Sequence, residues 1–84
     1  MIDEAETKTQ NLLIGLGKVI RDLRKQRGMT QKQLAEKAGF SQPVMCRIEN
    51  GGFYSLKLLC FVSDALNLEI EVNFLEKSPA KSKR

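Results

Sequence analysis

Residues 30–51 read TQKQLAEKAGFSQPVMCRIENG, and this stretch decides the fold. Its apolar residues recur with the period of an α-helix on either side of Gly39. The pattern predicts two helices of about eight residues each, over residues 31–38 and 42–49. The run of Asn50 and two glycines then ends the second helix.

Small and polar residues shape the junction between these two helices. Thr30 and Gln33 have the spacing of a capping box, and Ser41 is placed to begin the second helix. Ala35 allows the helices to cross closely, and Gly39 accepts a positive φ in the turn. This arrangement is a helix-turn-helix, whose second helix, here called the recognition helix, has the size that enters the major groove of DNA.

Two further helices are predicted around this unit. The first, over residues 16–27, has one apolar face with helical spacing, formed by Leu16, Val19, Ile20 and Leu23. The other, over residues 55–67, is apolar on two sides and therefore needs to be buried on two sides. Helices 1 to 3 can cover one of these sides, so the other needs a different partner.

Residues 68–74 alternate between apolar and polar side chains, which predicts a half-buried β-strand. A lone strand leaves its backbone groups unpaired, so we expect the same strand of a second copy to pair with it, antiparallel across a two-fold axis. The alternative is that residues 68–74 extend over their own core without pairing. The predicted dimer interface consists of Leu58, Phe61, Leu68, Ile70, Val72 and Phe74.

The predicted domain occupies residues 12–75. Residues 1–11 are predicted to be a flexible leader and residues 76–84 a disordered basic tail. The chain has neither an apolar run of membrane-spanning length nor the pattern of a secretion signal. We therefore expect a cytoplasmic, nucleoid-associated protein without a membrane partner.

The composition narrows the class of function. The net charge is +4, and residues 12–57 carry nine basic against three acidic side chains. A localised positive surface favours a polyanion, although a basic helix is often only a solvated one. The chain has no histidine, two cysteines without metal-ligand spacing, and no glycine-rich phosphate loop. We therefore expect no metal, no cofactor and no enzymatic activity.

The stretch at residues 30–51 resembles the Cro/repressor-type (Xre) helix-turn-helix family, and LGKVIRDLRKQRGMTQ (residues 16–31) resembles the first helix of that family. LKLLCFVSDALNLEIEV (residues 56–72) resembles the subset in which a dimerising strand follows the fourth helix, which includes Hip-type antitoxins. The resemblance implies a mainly α, lambda-repressor-like domain of four to five helices, with one C-terminal β-strand that pairs across a homodimer.

The resemblance also implies roles for individual residues. Gln42 would read an adenine edge, Arg47 would reach guanine or a phosphate, and Val44 would pack on a thymine methyl group. Arg24 and Glu49 occupy positions where family members form an internal ion pair between helices 1 and 3. The predicted DNA-binding residues are Gln31, Ser41, Gln42, Pro43, Val44, Arg47, Asn50 and Lys57. Four of these residues are expected to contact the DNA backbone instead of the bases: Gln31, Ser41, Asn50 and Lys57.

Cys46 and Tyr54 leave alternatives open, whereas Pro43 and Cys60 each have one expected role. Pro43 stands where the family often has a polar side chain, so one hydrogen bond to a base is missing. Cys46 is expected near the DNA-facing side, where it acts either as a redox switch or as a small packing residue, and we favour packing. Cys60 is expected in the core. The Tyr54 hydroxyl either donates to a phosphate or packs beneath the loop at residues 51–52.

The leading interpretation is a sequence-specific repressor that binds inverted-repeat double-stranded DNA as a homodimer. Within it we favour the antitoxin of a toxin–antitoxin operon, which represses its own operon and also binds a cognate toxin protein. A stand-alone or phage-type repressor or controller protein is the alternative. A further alternative is a helix-turn-helix module that binds other proteins and reads no bases.

Overall fold

The computed structural model describes residues 3–52 and 54–77, and within them the chain forms four α-helices. These are α1 (Glu4–Gln26), α2 (Gln31–Ala38), α3 (Gln42–Glu49) and α4 (Leu56–Ala65). The bounds of α2 and α3 agree with the predicted helix-turn-helix. Residues 1–2 of the predicted leader and residues 78–84 of the predicted tail lie outside the described residues.

The local signals around α2 act as the sequence predicts. Thr30 Oγ1 accepts the backbone N–H of Gln33 at 3.0 Å, and Gln33 Oε1 accepts the backbone N–H of Thr30 at 2.9 Å. Gly39 ends the helix with φ 94°, in the left-handed region that favours glycine. The backbone N–H of Phe40 then donates to Ala35 O at 3.0 Å, which closes the turn toward α3.

One small core holds the helices together, with α2 packed on both α3 and α4 and with α1 packed on α3. Its largest fully buried side chains come from three different helices: Leu34, Met45, Ile48 and Val62. Fully burying side chains of this size contributes about 1.5–3 kcal/mol each. The core therefore orients α3 mainly through its own Met45 and Ile48.

Helix α1 begins much earlier than the predicted start near residue 16. It spans 23 residues, and the Asp3 side chain caps it by accepting the backbone N–H of Glu6 at 2.8 Å. Residues 4–11, predicted to be a flexible leader, form its first two turns, and residues 3–12 are exposed. Acidic side chains in the first turn, Glu4 and Glu6, favour this start because they complement the helix dipole.

The predicted inner face of α1 is wrong in part. Ile20 is buried and Leu23 is half-buried, but Leu16 and Val19 are exposed. The residues of α1 that are buried are Gly17, Ile20 and Arg24. The helix is thus rotated relative to the prediction, which placed its largest apolar side chains inward, and part of its apolar surface faces outward.

Helix α4 is buried on one side only in the single chain. Val62 and Ala65 lie in the core, whereas Phe61 is 39% exposed. Cys60 is also exposed, so the prediction that it lies in the core is wrong. It sits on the outer side of the helix, where its backbone carbonyl accepts the Ser63 hydroxyl at 2.9 Å.

Residues 66–77 carry no regular secondary structure, and no strand occurs in residues 3–52 or 54–77. A single copy of the chain offers residues 68–74 no second strand to pair with. Leu68 packs against the core, but exposure then rises to 70% at Val72 and 99% at Phe74. Beyond Leu68 these apolar residues are therefore not covered by the chain's own core, and pairing with a second copy stays a prediction.

Candidate nucleic-acid interface

The recognition helix α3 has an inner and an outer face. Met45, Ile48 and Glu49 are buried on the inner face. The outer face exposes polar, charged and small side chains: Gln42, Pro43, Cys46, Arg47 and Asn50. Because every inward position is held by packing or by an ion pair, the outer side chains are presented by a rigid support.

The start of α3 leaves a hydroxyl group available. Ser41 occupies the N-cap position, but within the described residues its side chain makes no capping hydrogen bond. Pro43 lies in the first turn, where a missing N–H breaks no helical hydrogen bond. Ser41, Gln42 and Pro43 are all exposed, so the structure brings three of the predicted DNA-binding residues together at this end.

Val44 is less available than the sequence suggests. It is half-buried and packs against the core. Only part of its surface is therefore accessible. Its predicted contact with a thymine methyl group stays a prediction.

A buried ion pair fixes α3 to α1. Arg24 Nε lies 2.7 Å from Glu49 Oε2, Arg24 Nη2 donates to Glu49 Oε1 at 3.1 Å, and the two residues are 8% and 2% exposed. Arg24 Nη1 also donates to the backbone oxygen of Met29 at 2.8 Å. The guanidinium group is thus occupied internally, and it positions α3 instead of facing a phosphate.

Gln31 joins the same network from α2. Its side-chain nitrogen donates to Glu49 Oε1 at 3.1 Å, and the residue is half-buried. The acidic side chain at the end of α3 is therefore held from both α1 and α2. The phosphate contact predicted for Gln31 remains a prediction, and the structure gives this residue an additional internal contact.

Close packing between backbones sets the crossing of α1 and α3. A methyl group on Gly17 would lie 2.5 Å from Glu49 O and 2.7 Å from Ile48 O. Only a residue without a side chain fits at this position while the helices keep their separation. Gly17 lies three residues before Ile20 and seven before Arg24, so it shares their buried face of α1, and this spacing is the sequence signal for the contact.

The end of α3 is shaped around its outward side chains. Asn50 Nδ2 donates to Cys46 O at 2.9 Å and contacts Cys46 Sγ at 3.4 Å. The Arg47 stem lies against Gly52, where a methyl group would overlap its Cγ. Gly51 has φ 86° and meets Ile14 of α1, so the loop that follows the recognition helix is also anchored to α1.

Lys57 and Tyr54 follow this loop. The Lys57 ammonium lies 6.0 Å from the centre of the Phe61 ring, at the start of α4. The Tyr54 hydroxyl is buried without a hydrogen-bond partner among the described residues, and burial raises the pKa of this hydroxyl above its usual value of 10.0. This environment favours packing beneath the loop over a phosphate contact.

Other site types find little support in the described parts of the chain. Within residues 3–52 and 54–77 no three side chains of the metal-binding types come together. Cys46 and Cys60 are both free thiols. None of the helices described above combines the length and the apolar character that a membrane span requires.

Comparison with known families supports the geometry. Residues 20–73 match the family model HTH_3, described as helix-turn-helix and of the Cro/C1 type. The match runs from the second half of α1 through α4 and covers more than half of the chain. Comparison with curated proteins gave no match. Together with the exposed outer face of α3, the family match shows that this chain belongs to the helix-turn-helix family of DNA-binding transcription regulators.

Proposed function

We propose that the protein is a sequence-specific repressor that binds inverted-repeat operator DNA as a homodimer. The observation that carries this proposal is the division of α3 into a held inner face and an exposed outer face with Gln42 and Arg47. Glutamine and arginine are the side chains that pair with adenine and guanine edges in the major groove.

The dimer part of the proposal rests on the apolar surface that one copy leaves uncovered. Phe61 on α4 and Ile70, Val72 and Phe74 after it are 38–99% exposed. Apolar exposure of this extent is typical of an interaction surface. Two copies joined here would present two recognition helices to major grooves about 34 Å apart, one helical turn of DNA.

Within this role we favour an antitoxin that represses its own operon, located in the cytoplasm on the nucleoid. Its support is the resemblance of residues 56–72 to the Hip-type subset. Co-expression with the product of the neighbouring gene, followed by affinity purification, tests it. Co-purification of that product at a fixed ratio supports the antitoxin role, and its absence leaves a stand-alone repressor.

The DNA-binding proposal is tested by fluorescence anisotropy with an inverted repeat from the upstream region of its own gene and a scrambled duplex of equal length. We expect Gln42→Ala and Arg47→Ala each to weaken binding to the inverted repeat by roughly 1–3 kcal/mol and to change binding to the scrambled duplex little. Gln26→Ala and Arg27→Ala remove the same side-chain types at the exposed end of α1 and serve as matched controls.

The opposite result has a distinct form. Equal affinity for both duplexes, with a steep dependence on salt and small uniform losses in all four variants, would indicate contacts to phosphates only. That result would replace the repressor with a helix-turn-helix module that binds other proteins.

A further inference from the structure

An apolar stripe runs along the outer side of α1. Leu12, Leu16 and Val19 are separated by four and three residues, so they share one face of the helix, and they are 68%, 38% and 52% exposed. The buried face, with Gly17, Ile20 and Arg24, lies about a quarter turn away, which means that the core does not cover this stripe. We call these three residues the α1 stripe.

The first nine residues of α1, residues 4–12, also lack support within the chain. The helix is about 34 Å long at 1.5 Å per residue, and residues 3–12 are exposed. A short helical segment in water is only marginally stable, because most helical stability in proteins comes from packing of an apolar face. A contact along the α1 stripe would supply this packing.

We infer that the α1 stripe binds the same stripe of a second copy, with the two helices antiparallel. A two-fold axis between Gly15 and Leu16 places Leu12 of one copy opposite Val19 of the other, and the reverse contact follows by symmetry. Gly15 lies at the crossing point, and none of the described atoms comes within 4 Å of a methyl group built on it. The helices can therefore approach closely at the axis.

The charges beside the stripe fit this arrangement. Lys8 lies one turn before Leu12, and Asp22 lies about one turn after Val19 on the same flank of the helix. Both are exposed. In the antiparallel pair Lys8 of each copy lies next to Asp22 of the other, so the interface contains two attractive pairs.

This contact is a second self-association face, separate from the C-terminal surface of the proposed dimer. In a DNA-bound repressor, the α1 contact would join two dimers that occupy neighbouring operators, and this consequence rests on the proposed function. The pairing of α1 helices itself does not depend on DNA binding. Its test can therefore be read without an operator.

Sedimentation velocity on the full chain over a range of concentrations measures the association. We expect Leu12→Glu to abolish one association step and Val72→Glu to abolish the other. Lys8→Asp and Asp22→Lys are each expected to weaken the α1 step about tenfold, since each converts two attractions into repulsions, and the double exchange is expected to restore it. Lys25→Asp changes an exposed charge on the same helix away from the stripe and should leave the step unchanged.

Three outcomes would overturn the inference: a wild-type chain with only one association step, an unchanged step in Leu12→Glu, or a double exchange as weak as its single variants. Circular dichroism shows whether each variant keeps its helices. The double exchange of Lys8 and Asp22 contains both substitutions, so restored association in it shows that neither substitution prevents folding. Binding of Leu12→Glu to a single inverted repeat separates the two proposals. If Leu12→Glu binds the inverted repeat normally and keeps both association steps, only the proposed α1 contact is refuted. If the wild-type protein fails to bind the inverted repeat, only the proposed repressor function is refuted.

Discussion

Gly17 in α1 lies so close to the backbone of Glu49 in α3 that a methyl group added to it would stand 2.5 Å from the Glu49 carbonyl oxygen. The neighbouring carbonyl of Ile48 would be 2.7 Å away. The obstacle is helix backbone on both sides, which cannot move without shifting the recognition helix. The separation of α1 and α3 therefore depends on the absence of a side chain at this residue.

Gly17→Ala is expected to lower the free energy of unfolding by roughly 1–3 kcal/mol, because an added methyl group in a tightly packed contact forces the backbone to shift. Gly15→Ala is the matched control in the same helix, where a methyl group meets open space. It should raise helix stability by up to about 1 kcal/mol. Urea denaturation of both variants in a Leu12→Glu background, which removes the proposed α1 pairing, measures the difference, and equal effects would contradict the close crossing.

The ion pair between Arg24 and Glu49 gives a second prediction. Glu49→Gln and Arg24→Met should each destabilise the fold by roughly 3–5 kcal/mol, because each leaves a buried group without its partner. The double variant should lose less than the sum of the two, which a double-mutant cycle of unfolding free energies measures. Glu36→Gln on the exposed side of α2 is the control and should change stability by at most about 0.5 kcal/mol. Additive losses would show that the two side chains do not act together.

The helix-turn-helix could be predicted from the sequence because its signals are local. The capping box at Thr30 and the left-handed Gly39 each act within a few residues, and the outer face of α3 follows from their positions. The rotation of α1 could not be predicted in the same way. It is set by the contact of Arg24 with a carboxylate 25 residues away and by the space that Gly17 leaves for α3.

Two other predictions differ from the structure of the single chain for physical reasons. The first two turns of α1, EAETKTQN, consist mostly of good helix formers, but they contain no large apolar residue, so the apolar periodicity on which the prediction relied did not extend to Glu4. A strand over residues 68–74 needs a second strand to pair with, which no pattern within one chain can supply. At the candidate site, the alternatives for Tyr54 depended on burial, which the spacing of residues does not show.

Tyr54→Phe is expected to stabilise the fold at neutral pH by about 1 kcal/mol, since the buried hydroxyl has no partner among the described residues. Burial raises the pKa of this hydroxyl in the folded state, so the folded protein retains the proton more strongly than the unfolded chain does. Stability from the neutral hydroxyl is therefore present below pH 10 and is lost as pH rises through the folded-state pKa. The advantage of Tyr54→Phe should thus grow above pH 10.

Tyr54 is the only tyrosine and the chain has no tryptophan, so ultraviolet absorbance follows its ionisation directly. A titration in native buffer compared with one in urea should give the higher pKa in native buffer. Equal values in the two conditions, together with a pH-independent effect of Tyr54→Phe, would show that the hydroxyl is in contact with water.

Gly52 is expected to control where the Arg47 side chain lies. A methyl group on Gly52 would overlap Arg47 Cγ and stand 2.9 Å from its Cδ, so Gly52→Ala should move the guanidinium group from its present position. We expect operator affinity to fall by roughly 1–3 kcal/mol, as for a lost base contact. The free energy of unfolding should change by at most about 1 kcal/mol, because the Arg47 side chain that has to move is exposed. Anisotropy titrations of Gly52→Ala, Arg47→Ala and the double variant measure the coupling. If the glycine acts through Arg47, Gly52→Ala weakens binding no further once Arg47 is already alanine; full additivity would mean that the loop contacts DNA by itself.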